Sequence, residues 1–255
     1  IPGMVVINPC DYNQTKLATI SIAKYKGPVY LRFGRPSVPN FTTNDLGFEI
    51  GEGILLKPGS DVTIVATGHL VWEALEASIE LKNYGVDSEV INIHTIKPLD
   101  EKIILKSVRK TGCVLSAEEH NFLGGLGESI SGLLATNYPA PMEFVATQDT
   151  FGESGTPAEL MSKYGLNKDT IIRKVLKLKK RTWKIMNQIK KYFSLIILTS
   201  TVGFSQFEYG IKGGINITAS GQIKDAIIDL SSNDNINENL TGYFFGGYSS
   251  LKLFF

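Results

Sequence analysis

Histidine and cysteine are scarce in this chain, with three and two copies among 255 residues. A protein metal site takes about three or four ligands in short, regular spacings. His69, His94 and His120 offer no such spacing. Cys10 and Cys113 each sit inside an apolar run, so they read as reduced core residues rather than as a disulfide framework. That usage suits a cytoplasmic setting for residues 1–181. An excess of charge of one sign is missing as well, since 26 Lys and Arg stand against 25 Asp and Glu. The basic field of a nucleic-acid binder and the electropositive funnel for acidic substrates are thereby excluded. No apolar run reaches the ~20 residues that cross a bilayer as a helix. What remains is 43% hydrophobic and 20% charged residues, the composition of a soluble globular protein with one large domain or two ordinary ones.

Along the chain, strand-like apolar runs alternate with helical periods. Met4 to Asn8 reads as a strand. Asp11 suits the N-cap of a helix carrying Leu17, Ile20 and Ala23. Gly27-Pro28 breaks that helix, and Val29 to Phe33 is the next strand. One strand-helix-strand unit cannot cover its own sheet, so residues 1–40 read as the end of a larger domain. Residues 41–60, rich in Gly and Pro, read as a linker with one short hairpin around Gly51-Glu52-Gly53.

Residues 61–181 read as a self-contained domain. Its strands are 62–66, 88–93, 113–117 and 142–146. The first helix carries Val71, Trp72, Leu75, Ile79 and Leu81 at core-face spacing and ends at Gly85. A second starts from Asp100 with Ile103, Ile104 and Val108, and a third follows Gly124-Gly125-Leu126-Gly127. A closing helix holds Ile171, Ile172, Val175 and Leu176. This order implies an α/β fold, a three-layer and mostly parallel sheet with helices on both faces.

The character changes near residue 181. A basic start from Met186 to Lys191 is followed by an uncharged apolar stretch, Tyr192 to Phe204, and a Ser205-Gln206 exit. That is the pattern of a secretory signal peptide, set in mid-chain over 186–206. From Phe207 to Ile217 large residues alternate with small or polar ones, the period and length of one strand of a transmembrane barrel. Ser231 to Asn235 reads as a loop, and Tyr243 to Phe255 resumes with aromatics and glycines. The expected tail is one apolar helix and a β-hairpin unrelated to the α/β domain. Residues 207–255 resemble the start of an outer-membrane β-barrel precursor of the Bacteroidetes kind, an exported protein.

Three stretches invite a chemical reading. Gly124-Gly125-Leu126-Gly127-Glu128-Ser129 falls short of a dinucleotide fingerprint, lacking the third glycine and standing several residues beyond its strand. Glycines at a helix start that allow close packing or a subunit contact are the simpler account. Glu118-Glu119-His120 reads as a solvated loop with an acid near a helix N-terminus rather than an acid-base or metal cluster. Asp149 to Gly155, followed by Pro157, is a turn into a capped helix. No nucleophile with an adjacent base emerges, and Asp11 is structural.

Taken in order, these stretches resemble a known family. Pro9-Cys10-Asp11 and Gly27 to Pro36 look like the last strands of the pyrimidine-binding domain of transketolases. Ser60 to Gly68, Ile96-Lys97-Pro98-Leu99-Asp100, Glu118-Glu119-His120 with the glycines after it, and Phe151 to Gly155 are similar to the family's C-terminal domain. The resemblance covers about 170 residues. It implies a thiamine-diphosphate enzyme that moves two-carbon ketol units between sugar phosphates, with magnesium in the complete enzyme and a homodimer-type assembly. It also implies that the diphosphate-and-metal domain and the glutamate that activates the pyrimidine ring lie upstream of Ile1. This chain alone is then expected to bind no cofactor and to need an N-terminal portion or subunit as partner. One family contact carries over, the arginine that grips the sugar phosphate. It falls on Arg35, with Arg32 the alternative in a shifted register. A planar guanidinium suits the task because it can make two charge-assisted bonds to one phosphate. A 2-oxo-acid dehydrogenase β subunit, a deoxyxylulose-phosphate synthase fragment and a non-catalytic dimer-assembly module are the alternatives.

Overall fold

The computed structural model describes residues 1–34, 37–182, 207–219, 222–229 and 243–251. The chain forms two compact units, Ile1–Met186 and Asn187–Phe255.

The first unit opens with β1 (Val5–Ile7), α1 (Tyr12–Lys24) and β2 (Val29–Leu31). Asp11 caps α1 as its sequence position suggests, accepting the Gln14 N–H at 2.9 Å. The packed stripe of α1 differs from the expected one. Gln14 and Ala18 are buried and Ile22 packs beside them, whereas Ile20 is 48% exposed and Ala23 faces water. Small Ala18 lets the helix approach Val5 and Ile7 closely, and the larger side chains are turned away.

Residues 41–60 hold a strand in place of the expected hairpin. After a single 3₁₀ turn at Asn44–Leu46, β3 (Ile54–Lys57) runs antiparallel to a later strand, Ile54 opposite Asn92. Then follow β4 (Val62–Ala66), α2 (Leu70–Leu81), β5 (Ser88–Asn92), β6 (Thr95–Lys97), α3 (Glu101–Thr111), β7 (Val114–Asn121), α4 (Leu126–Asn137), β8 (Met142–Thr147) and α5 (Pro157–Lys163). Residues 168–182 form a closing helix, α6. The five-stranded sheet has the order β3-β5-β4-β7-β8, parallel except for its β3 edge.

Alternation along β4 sorts two cores. Val62, Ile64 and Ala66 join Leu70, Val71, Ala74, Ala77 and Leu81 of α2 and Ile171, Val175 and Leu178 of α6. Val65 faces the other layer, with Ile104 and Val108 of α3 and Leu126, Ile130 and Leu134 of α4. The expected three-layer α/β architecture is therefore present. Within α2 the core face runs through Ala74 and Ala77. Ile79, expected inside, is 62% exposed, and Trp72 instead packs beside Phe41 at 5.5 Å between ring centroids. Cys10 and Cys113 are free and buried.

A smaller sheet of order β2-β1-β6 contains β1 parallel to β2 and antiparallel to β6. The chain passes from β5 to β6 through Ile93-His94, so one short link ties the two sheets together. The His94 carbonyl accepts the Asn8 N–H at 2.8 Å, and its ring stacks on Phe48 at 4.2 Å.

In the second unit β9 (Phe207–Ala219) pairs antiparallel with β10 (Gln222–Asp229) and with β11 (Tyr243–Leu251). The expected hairpin of two strands is thus a three-stranded sheet, β10-β9-β11, because the stretch after Ala219 turns back immediately. The expected apolar helix over 188–204 and the loop at Ser231 to Asn235 lie outside the described residues.

Candidate functional site

Open parallel sheets place ligands beyond the carboxyl ends of their strands. Here four such ends meet: Asn8 to Asp11 after β1, Arg32 to Val38 after β2, Thr67 to His69 after β4, and Glu118 to His120 at the close of β7. The contacts between them are direct. The Gly68 N–H reaches the Asn8 carbonyl at 3.3 Å. Gly68 adopts φ +56°, and a β-carbon there would meet the Asn8 amide. The Arg32 guanidinium donates to the backbone carbonyl of Glu119. His69 Nδ1 lies 3.1 Å from Glu119 Oε2.

Three of these ends, those after β1, β2 and β4, line a cavity of about 320 Å³ with Cys10, Asp11, Thr15, Phe33, Ser37 and His69, among others. Arg35 lies in the sequence between two lining residues, Gly34 and Ser37, and is itself outside the described residues. Arg32, its alternative, is described: its guanidinium is engaged with Glu119 and lines a second cavity of about 720 Å³ beside Lys97, Glu118, His120 and Glu128.

Asp11 is fully engaged. Its Oδ1 accepts from Gln14 N and from Thr42 Oγ1 at 2.7 Å, and its Oδ2 accepts the N–H groups of Phe41 and Thr42 at 2.9 and 2.6 Å. The carboxylate ties the start of α1 to the crossing segment and has little acceptor capacity left. Behind it, Gln14 Oε1 accepts from Cys10 N at 2.9 Å and from Asn92 Nδ2 at 3.1 Å. Burial and the neighbouring Asp11 charge push the Cys10 thiol far above its usual range, so it is no nucleophile.

Glu118-Glu119-His120 is neither a solvated loop nor a cluster. All three residues belong to β7, whose pleat sends Glu118 and Glu119 to opposite sides. Glu118 is 1% exposed and accepts the N–H groups of Leu126 and Gly127, both at 2.8 Å, at the start of α4. Burial raises its pKa, and these two bonds oppose the rise. Glu119 points to His69, whose hydrogen bond holds its carboxyl below the usual range. His120 is exposed, with Nδ1 2.9 Å from the Asn121 carbonyl.

The glycine run is explained by the same carboxylate. The strand continues to Asn121, so the run stands closer to its strand than its sequence suggests. A phosphate still finds no cradle there, because Glu118 already takes the first free N–H groups of α4. A β-carbon at Gly125 would overlap Glu118, and one at Gly127 would meet Phe144 and Ser116, so both glycines serve close packing. Among the described residues no group of three or more His, Cys, Asp or Glu could hold a metal ion.

Sequence reasoning missed the pairing of His69 with Glu119. Applying the strand-end rule to the strands read from sequence would have grouped Gly68-His69 with Arg32 and Glu118-Glu119.

Comparison with known proteins agrees with this architecture. A family model for the transketolase C-terminal domain matches residues 51–171. The 6-deoxy-6-sulfo-D-fructose transketolase subunit SqwH of Clostridium sp. (strain MSTE9) is 44% identical over 174 residues, 68% of this chain and 54% of the relative. A putative transketolase C-terminal section of Methanocaldococcus jannaschii is 41% identical over 179 residues, 69% of this chain and 56% of the relative. The solved structure of a split gene transketolase, an inactive β4 tetramer, superposes with a TM-score of 0.68 at 41% identity, covering 71% of this chain and 59% of that one. The chain thus spans little more than half the length of each of these three proteins. Family model, sequence identity and superposition fall on one region, and residues 51–171 of this chain match the transketolase C-terminal domain.

Proposed function

We propose that residues 1–181 are the C-terminal part of a transketolase that works with an N-terminal portion or subunit. The complete enzyme then transfers two-carbon ketol units between sugar phosphates, and this part supplies the phosphate grip through Arg35. The observation that carries the reading is the cavity at the strand ends, whose lining after β2 includes Gly34 and Ser37, the described residues on either side of position 35 in the sequence. Thiamine diphosphate supplies the carbanion chemistry when bound. In this reading its diphosphate and magnesium fall to the partner. The matched relatives bear names such as subunit and C-terminal section, which fits a division of labour between two chains. The apolar stretch and strands after residue 186 we read as a separate segment with no part in ketol transfer.

A coupled sugar-phosphate assay with and without a transketolase N-terminal subunit tests the reading. The chain alone should show no turnover, and calorimetric titration with thiamine diphosphate and magnesium no heat above background. The mixture should transfer ketol units. Turnover by the chain alone, or none with any N-terminal subunit that forms a complex with it, would overturn the reading. In the second case a dimer-assembly role would take its place.

A further inference from the structure

One wall of the smaller cavity is the loop after β2, through Phe33, Gly34, Ser37 and Val38. Such a wall keeps its shape only if something stiff stands behind it. His69 is placed to be that support. It follows Gly68 at the head of α2, and Glu119 Oε2 lies 3.1 Å from its Nδ1. That hydrogen bond fixes the plane of the ring. The backbone carbonyl of the same Glu119 accepts from Arg32, which stands just before the loop. The start of the loop and its backstop are therefore anchored on one residue.

The other edge of the imidazole occupies the space a side chain at position 34 would need. A β-carbon on Gly34 would overlap the ring at Cε1 and Nε2 and lie 2.8 Å from Nδ1. Gly34 is absent from the glycines with positive φ. Space, not backbone conformation, requires glycine here.

We propose that His69, braced by Glu119, is the positioning residue of this cavity wall. It sets where the backbone of the loop lies at Gly34, and with it the position of the cavity wall that Gly34 lines. His69 acts through Gly34 and need not touch substrate. The identity of the ligand rests on the function proposed above; the contact between ring and backbone does not.

Two readouts test the role, with His69→Ser, His69→Gln, Gly34→Ala and the pair Gly34→Ala with His69→Ser. Hydrogen exchange in the full chain reads the loop itself. His69→Ser should speed exchange across 33–38 about tenfold or more while the amides of α2 keep their protection. In the enzyme assembled with an N-terminal subunit, KM for a phosphorylated sugar should rise roughly ten- to a hundredfold with kcat nearly unchanged. His69→Gln can still donate to Glu119 and should retain most of the wild-type behaviour. Gly34→Ala alone should raise KM likewise, and adding His69→Ser should relieve it, giving a non-additive cycle. Unchanged exchange in His69→Ser, strictly additive substitutions, or altered exchange with KM untouched would overturn the proposal. An assembled enzyme without any ketol transfer would count against the proposed function instead, and exchange would still decide the role of His69.

Discussion

At the scale of single residues, the chain separates groups that hold the fold from groups free to act. Asp11 accepts four hydrogen bonds and Glu118 two, so both are committed to structure. Under the proposed function Arg35 is the residue asked to act. In the assembled enzyme Arg35→Ala should raise KM for phosphorylated sugars and spare an unphosphorylated donor. Losing a charge-assisted contact costs about 1.5–3 kcal/mol, roughly ten- to a hundredfold. Equal damage to both substrate types would refute the phosphate role. Gly127→Ala is a test of packing. Its new methyl would stand 2.5 Å from Phe144 Cδ1 and 2.8 Å from Ser116 Oγ, so urea unfolding should report a loss of about 1–3 kcal/mol. Gly132, with nothing within 4 Å of its missing β-carbon, is the control. Replacing it with Ala should stabilise α4 by up to about 1 kcal/mol. The caps were legible in the sequence because Asp11 and Asp100 bond to amides three residues on. His69 and Glu119 were not, since their partnership exists only where four strand ends converge.

Elements were legible in proportion to their length. The five-residue runs of β4 and β5 and the long helices stand out in the pattern of apolar residues. β6, three residues long and enclosed between β5 and the turn before α3, carries no periodicity to read. The packed faces of α1 and α2 were misjudged for one reason. Large residues such as Ile20 and Ile79 drew the stripe, while Ala18, Ala74 and Ala77 make the close contacts. The link before β6 has a testable electrostatic character. Burial pushes the His94 pKa down to about 4, against an opposing pull from Asp100. The folded protein therefore refuses a proton that the unfolded chain takes up near 6.5. Its contribution to stability is complete above that pH. It is lost as pH falls toward 4, at up to about 1.4 kcal/mol per unit. His94→Phe keeps a ring against Phe48 and cannot be protonated. Its urea midpoint should fall less than that of the wild type between pH 6.5 and 4. Parallel curves for the two proteins would show that His94 does not titrate as described.

The molecule as a whole divides into two units at Met186. A chain ending at Met186 should melt at the same temperature as the full chain and, under the proposed function, transfer ketol units at the same rate when assembled with a transketolase N-terminal subunit. A clear drop in either would mean that residues 187–255 support the first unit. Within that unit the pairing of Val6 with Lys97 has a consequence for synthesis. Ribosomes add about 5–20 residues per second, so β1 emerges several seconds before β6. Until then the edge of β1 that pairs with β6 is left open. That edge waits for a distant strand, and chaperone capture at β1 in a nascent chain should decline once Thr95–Lys97 clears the exit tunnel.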